Sequence, residues 1–273
     1  GDIEGLKLDE DGNVIAGAKF GLFKPGTTEF TEENAVLVTE SDSEGKFRFE
    51  DIRFGKWIVR ELVPATGYVL NETPIEVNIQ TEGEIINISF ENKFIRSDIK
   101  GYKVDEDGKP VEGALFGLFT ETDTEFTEEN AVLTAKSDAD GIFFFDDIRF
   151  GKWIVKELAP AEGFVANDTV FPIDVTTDGA VIEIEAENRH IYGMVHTTKV
   201  DKDYPDNLLA GAIFEIYMDV DGNKEFNVDV DTLVGEMVEY EPGLYELENL
   251  RYGGYFLYEK QAPANYVKDD AYH

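Results

Sequence analysis

The stretch Asp51-Ile-Arg-Phe-Gly-Lys-Trp-Ile-Val59 returns letter for letter as Asp147 to Val155. Phe54-Gly55 is a turn signal, and the Trp-Ile-Val that follows is β-prone. The interval between the two copies is 96 residues (147 − 51). The same interval separates Lys7, Lys103 and Lys199, and it separates Trp57 from Trp153, Glu61 from Glu157 and Asn92 from Asn188. Phe30–Leu37 likewise recurs as Phe126–Leu133.

A 96-residue period is the size of a domain that buries its own core, not of a solenoid unit. Short apolar runs alternate with turn signals such as Asp11-Gly12, Glu44-Gly45 and Thr66-Gly67, repeated at Asp107-Gly108, Asp140-Gly141 and Glu162-Gly163. Only the Phe30–Leu37 stretch reads as able to hold a helical turn. The expected fold class is all-β: three tandem immunoglobulin-like, prealbumin-like β-sandwiches over residues 1–95, 96–191 and 192–273. The joins, near 94–97 and 189–192, lack Gly/Ser runs, so a semi-rigid rod is expected. In the third copy Glu259 follows Glu157 by 102 residues, six more than the period. The extra length is assigned to residues 219–231. The counterpart of Asn188 would then fall beyond His273, so the third domain is expected to lack its last strand or strands.

Strand residues alternate between two faces, so parity sorts inward from outward positions. Ile86, Ile88, Phe90 and Asn92 share a face, as do Ile182, Ile184, Ala186 and Asn188. Trp57, Val59 and Glu61 share another, repeated as Trp153, Val155, Glu157 and as Tyr255, Leu257, Glu259. An asparagine and a glutamate therefore lie on apolar faces. Apolar residues on both sides of Lys7, Lys103 and Lys199 leave the lysine's face open on pattern alone; the reading favoured is inward. A buried Lys–Glu ion pair with a hydrogen-bonded asparagine is the plain structural account of the trio. Desolvation offsets most of what such a pair gains, which weakens that account for a recurring motif.

The net charge is −34, from 58 acidic and 24 basic residues. Such a polyanion disfavours nucleic acid and anionic membrane surfaces. With no cysteine, disulfides, thiolate metal sites and a cysteine nucleophile are excluded. No apolar run reaches the length of a membrane helix. No nucleophile elbow, phosphate loop or dinucleotide fingerprint is present, so no enzyme is expected. The Asn71-Glu-Thr, Asn87-Ile-Ser and Asn167-Asp-Thr triplets match glycosylation acceptors but are common by chance.

Lys-x-Asp near the start of each copy, Gly-Ala-x-Phe at 17–20, 113–116 and 211–214, Glu-Leu-x-Pro-Ala-x-Gly-Tyr/Phe at 61–68 and 157–164, and Glu-Asn at 91–92 and 187–188 complete a frame. The chain resembles the Cna B-type, or SpaA-like, prealbumin-fold domains of Gram-positive surface proteins and pilins over nearly its whole length. The third copy departs in having Asn265 where the others have Gly67 and Gly163, and in lacking the asparagine. The resemblance implies an intramolecular isopeptide bond in each complete domain, Lys7–Asn92 and Lys103–Asn188. Glu61 and Glu157 would be the proton-relaying groups of a single-turnover reaction. Lys199 and Glu259 would be the equivalents left without a partner. Apolar burial lowers a lysine pKa and raises a glutamate pKa, so neutral amine and neutral acid can coexist.

The third copy also carries an acidic stretch whose oxygens recur at alternate positions: Asp219, Asp221, Asn223, Asp229 and Asp231. Calcium is the candidate ligand there, with a solvated acidic loop as the plainer reading; the EF-hand pattern is only partly met, because Val230 occupies its twelfth position. No other cofactor is expected.

The functional expectation is a structural stalk or spacer of a bacterial cell-surface protein. It would be extracellular, wall-anchored through a region not in this sequence, and monomeric, with neighbouring domains of the same protein as partners. A host protein or glycan ligand stays unassigned. The alternatives are an adhesin domain, a pilin shaft segment and an accessory module of a secreted enzyme.

Overall fold

The computed structural model describes residues 1–273, all β and turn without a helix. The first domain has seven strands: β1 (Asp2–Asp9), β2 (Lys19–Phe23), β3 (Leu37–Glu40), β4 (Lys46–Phe49), β5 (Gly55–Val63), β6 (Ile75–Ile79) and β7 (Ile85–Asn92). They form two sheets, ordered β4-β1-β7 and β3-β2-β5-β6. The second domain repeats this with β8 (Arg96–Asp105), β9 (Leu115–Thr120), β10 (Leu133–Lys136), β11 (Ile142–Arg149), β12 (Gly151–Ala159), β13 (Val170–Val175) and β14 (Ala180–Asn188). Its sheets are β11-β8-β14 and β10-β9-β12-β13. The third has β15 (Tyr192–Thr198), β16 (Ile213–Met218), β17 (Thr232–Glu236), β18 (Val238–Glu241), β19 (Leu244–Arg251) and β20 (Tyr255–Gln261), in sheets β15-β19-β18 and β17-β16-β20. Strand β15 has a neighbour on one edge only, whereas β1 and β8 lie between two strands.

First and last strands of a complete domain run parallel, side by side. Lys7 on β1 is in register with Phe90 on β7, and Asp9 with Asn92. Lys103 is in register with Ala186 and Asp105 with Asn188. The apolar faces meet in cores built on stacked phenylalanines: Phe20 on Phe47 and Phe116 on Phe143, each with ring centroids 3.8 Å apart. The third core is smaller, with six buried residues against 11 and 13.

The Phe30–Leu37 stretch makes a single turn, with the Asn34 and Ala35 amides donating to Thr31 O, and no helix. The six extra residues of the third copy do not all sit at 219–231, which corrects the sequence reading. The Lys7 carbonyl accepts from Ile15 N and Lys103 from Val111 N, each eight residues on, but Lys199 accepts from Leu209 N, ten on. Edge-to-face pairs Phe23–Phe30 and Phe119–Phe126 span seven residues, while Tyr217–Phe226 spans nine. Two residues are thus added in each of these loops. The remaining two fall between Asp231 and Gly235, within β17, whose pairing with β16 carries a β-bulge. Single-sequence comparison cannot place gaps when the surrounding letters have drifted.

The domains abut through a repeated junction. Arg149 Nη1 reaches Asp11 at 2.8 Å, and its counterpart Arg251 reaches Asp107 at 2.6 Å. Ile95 N donates to Gly67 O and Ile191 N to Gly163 O. Gly67 and Gly163 take φ of 91° and 88°, and a Cβ on either would lie 2.9 or 2.8 Å from the next domain's Phe150 or Tyr252. These glycines serve the turn and the close approach together. The same contacts at both joins give the connection a defined geometry rather than a loose linker.

Candidate cross-link site

In the first two domains the lysine, glutamate and asparagine come together, buried, between the two sheets. Lys7 and Lys103 have no exposed surface, and Glu61, Glu157, Asn92 and Asn188 are buried. Strand alternation accounts for this: β1 reads buried at Ile3, Gly5, Lys7 and Asp9, with the positions between them half-buried. Asp9 closes the following turn by accepting from Asp11 N and Asn13 N. Asp105 does the same with Asp107 N and Lys109 N. The aspartate of Lys-x-Asp thus fixes the end of the strand that carries the lysine.

Lys7 Nζ lies 3.8 Å from Glu61 Oε1 and donates to the carbonyls of Leu8 and Phe90, both at 3.3 Å. Asn92 Nδ2 donates to the same Glu61 Oε1 at 3.0 Å, while Glu61 Oε2 accepts from Asn71 N at 2.8 Å. The second domain repeats the hydrogen bonds, although the Lys7–Glu61 approach within 4.0 Å has no counterpart between Lys103 and Glu157. Lys103 donates to Val104 and Ala186 carbonyls at 3.0 Å, Asn188 Nδ2 to Glu157 Oε1 at 2.8 Å, and Asn167 N to Glu157 Oε2 at 2.7 Å. In each domain the asparagine's Oδ1 is buried without a partner. Leaving such an acceptor unpaired costs about 1–3 kcal/mol, so its recurrence at one site in both copies is informative.

Burial pulls the Lys7 amine down to about 8, against the upward pull of the Glu61 carboxylate. Lys103 is lowered for the same reason, with Glu157 opposing. An unreacted chain unfolded in water binds the Lys7 proton up to about pH 10.5, whereas the folded one releases it near 8. Stability of the uncross-linked Glu61→Gln variant, which keeps the burial of Lys7 and removes the opposing carboxylate, should therefore rise with pH from about 8 to about 10.5. Urea midpoints across that range check this; a flat or falling trend in the first domain would contradict it.

The third domain differs as its sequence does. There Lys199 Nζ closes directly on Glu259, 2.9 Å from Oε1 and 3.1 Å from Oε2. Asp269 N still holds Glu259 Oε2 at 2.8 Å. Lysine and glutamate form a close ion pair in this domain.

Sequence reading missed Asn71 and Asn167. Each stands ten residues after the glutamate, and each amide side chain donates to the last strand, Asn71 to Glu91 O and Asn167 to Glu187 O. Each Oδ1 accepts from Thr73 N or Thr169 N, so these triplets are Asx turns with their nitrogens already engaged. Asparagine at Glu61 + 10 and Glu157 + 10, with Asp269 at Glu259 + 10, was the available signal. In the acidic loop, Asp219, Asp221 and Asp231 come together, with carboxylate oxygens within 4.8 Å of one another; Asp229 lies outside that group. Asn223 Oδ1 accepts from Glu225 N, and its Nδ2 donates to Asp221.

The profile of the SpaA prealbumin-like fold domain matches residues 1–94, 97–190 and 193–273. The chain belongs to this family. Its three domains are tandem members, and all carry the family's two-sheet β architecture. Among solved structures it is similar to the Bacillus anthracis TIE protein, at 24% identity and a TM-score of 0.80, over 100% of this chain and 47% of that one. It therefore spans about half the length of that protein. It is also similar to BcpA, the major pilin subunit of Bacillus cereus, at 17% identity and TM-score 0.44, covering 100% and 91% of the two chains. A streptococcal ancillary pilin matches at 20% identity and TM-score 0.36, covering 100% and 94%. No curated protein sequence matches the chain. No helix is long and apolar enough to cross a membrane.

Proposed function

We propose that the chain is a load-bearing stalk segment of a Gram-positive cell-surface protein, whose first two domains cross-link themselves through Lys7–Asn92 and Lys103–Asn188. The observation that carries this reading is the buried trio repeated in both domains, with a desolvated lysine and an amide whose oxygen has no partner. Proton transfer across the 3.8 Å from Lys7 Nζ to Glu61 yields a neutral amine beside a carboxylic acid. The amine attacks Asn92 Cγ; the Nζ–Cγ bond forms and the Cγ–Nδ2 bond breaks. Of the two amine protons, one stays on the new amide and one passes through Glu61 to Nδ2, which leaves as ammonia. Turning the amide so that Oδ1 faces Glu61 lets the protonated acid donate to it, which pairs the bare oxygen and polarises the carbon. Each domain reacts once, so the chain is not a turnover enzyme.

The topology supports a mechanical role. Tension entering along β1 would pass at Lys7 directly to Asn92 at the end of β7, so residues 8–91 would carry none of it. Repeated junctions extend this path from domain to domain. The pilin names of similar structures agree with an extracellular, surface-displayed setting. Intact mass spectrometry tests the reading: the chain should weigh two ammonias less than its sequence, and a full-mass chain would remove the cross-links.

A further inference from the structure

We propose that Asp219, Asp221 and Asp231 form a calcium site in the third domain, clamping the exit of β16 to the entry of β17. Asp231 is 6% exposed, and its Oδ1 is buried with no hydrogen-bond partner. Asp219 Oδ1 is buried and unpartnered in the same way. Each of these aspartates spends its other oxygen on the loop itself: Asp219 Oδ2 accepts from Lys224 N at 3.1 Å and Asp231 Oδ2 from Asn227 N at 2.7 Å. In Asp219 and Asp231 one oxygen orders the backbone and the other is left without a partner.

No lysine, arginine or histidine nitrogen lies within 4.0 Å of the three carboxylates, although 24 basic residues are available and many other acids in the chain are paired. The neighbouring acids Glu225 and Asp229 add negative charge on the exposed side, and Lys224 is the basic residue of the loop. The first two domains show what the position holds without such a cluster. Thr31, Thr127 and Asn227 each accept, through their carbonyls, an amide four residues on, which aligns Asp231 with Ala35 and Ala131. A buried carboxylate has replaced alanine, at a desolvation cost that a cation would offset.

The chemistry of the donors selects the ion. Three hard carboxylate oxygens suit calcium or magnesium, not a thiophilic metal. A calcium ion at 2.3–2.6 Å from each oxygen bridges donors up to about 5 Å apart and tolerates an irregular set completed by carbonyls and water. Magnesium needs near-octahedral ligands at about 2.1 Å, which a two-segment cluster with this spread does not supply. The ligands come from both ends of the loop, unlike a contiguous EF-hand. Lys199 and Glu259 take no part, so the site stands apart from the cross-links.

The 273-residue chain, stripped with EDTA, should be titrated with calcium chloride while trypsin cleavage after the exposed Lys224 is followed. Protection of at least tenfold is expected, half-maximal at ~10⁻⁴–10⁻³ M as in extracellular calcium modules. Asp231→Asn should raise that midpoint at least tenfold. Asp221→Asn, at an exposed position that leaves folding intact, should weaken it in the same direction, and Asp229→Asn should leave it unchanged. Equal protection by magnesium, no protection at about 10 mM calcium, or an Asp229→Asn effect as large as that of Asp221→Asn would overturn the site.

Discussion

Glu61→Ala is expected to keep the ammonia of the first domain while the second domain still loses its own. Beyond the substitution itself, the variant should be one ammonia heavier than the parent chain, and Glu157→Ala should mirror it. The double variant should carry the full sequence mass. The stability consequence is large because the bond closes nearly the entire domain, residues 7 to 92. By the chain-entropy relation for cross-links, a loop of that length is worth about 4–5 kcal/mol at 25 °C. Truncation also strips acceptors from Asn71 N and Asn92 Nδ2, adding about 1–3 kcal/mol for each amide left unpaired. Glu61→Gln separates the two effects. It retains an oxygen for Asn71 N but cannot carry the proton, so it too should keep its ammonia while losing less stability than the alanine variant. A Glu61→Ala chain with both deficits intact would remove the glutamate from the reaction; its thermal transition would then show only the hydrogen-bond loss.

Much of this site was legible because β alternation has a period of two and the repeat is strict. Asn92 follows Ile86, Ile88 and Phe90 at even steps, and Glu61 follows Trp57 and Val59, so one register fixes every face. The inward lysine was harder, since Leu6 and Leu8 are apolar on its other side. The fold resolves it: those positions are half-covered, whereas Lys7 is fully enclosed. Other features had no sequence counterpart. The bonding of Asn71 depends on β7 passing within reach of the β5–β6 connection, a contact between segments 20 residues apart. Asp231 read as one of several alternating acids; only its burial sets it apart from Asp229. Asn265, which stands where the first two copies have glycine, takes the same left-handed conformation, with a φ of 69°.

Gly5→Ala and Gly101→Ala should be among the most damaging single substitutions in the first two domains, although each adds one methyl group. A Cβ at Gly5 would sit 1.9 Å from Phe47 Cζ, and one at Gly101 the same distance from Phe143 Cζ. Phe47 cannot retreat freely, because it is stacked on Phe20 at 3.8 Å with an interplanar angle of 9°. Either the ring leaves the stack or β1 shifts. Overpacking of this kind costs about 1–3 kcal/mol, and here it falls two residues before the lysine. The third domain displays the alternative packing. Thr197 pairs with Tyr245 where Gly5 pairs with Phe47, and the ring there meets Phe214 edge-on, at 5.0 Å and 74°. A side chain on the strand and a flat aromatic stack are thus exclusive arrangements. Glycine in β1 buys the stack, and the stack seats the strand that presents Lys7. Calorimetry should show the first-domain transition lowered in Gly5→Ala. Intact mass measured during refolding of freshly synthesised chain should show that domain's ammonia lost more slowly than in the parent. An unchanged transition and an unchanged rate together would mean that the ring adapts without moving β1, and that the stack does not position the lysine.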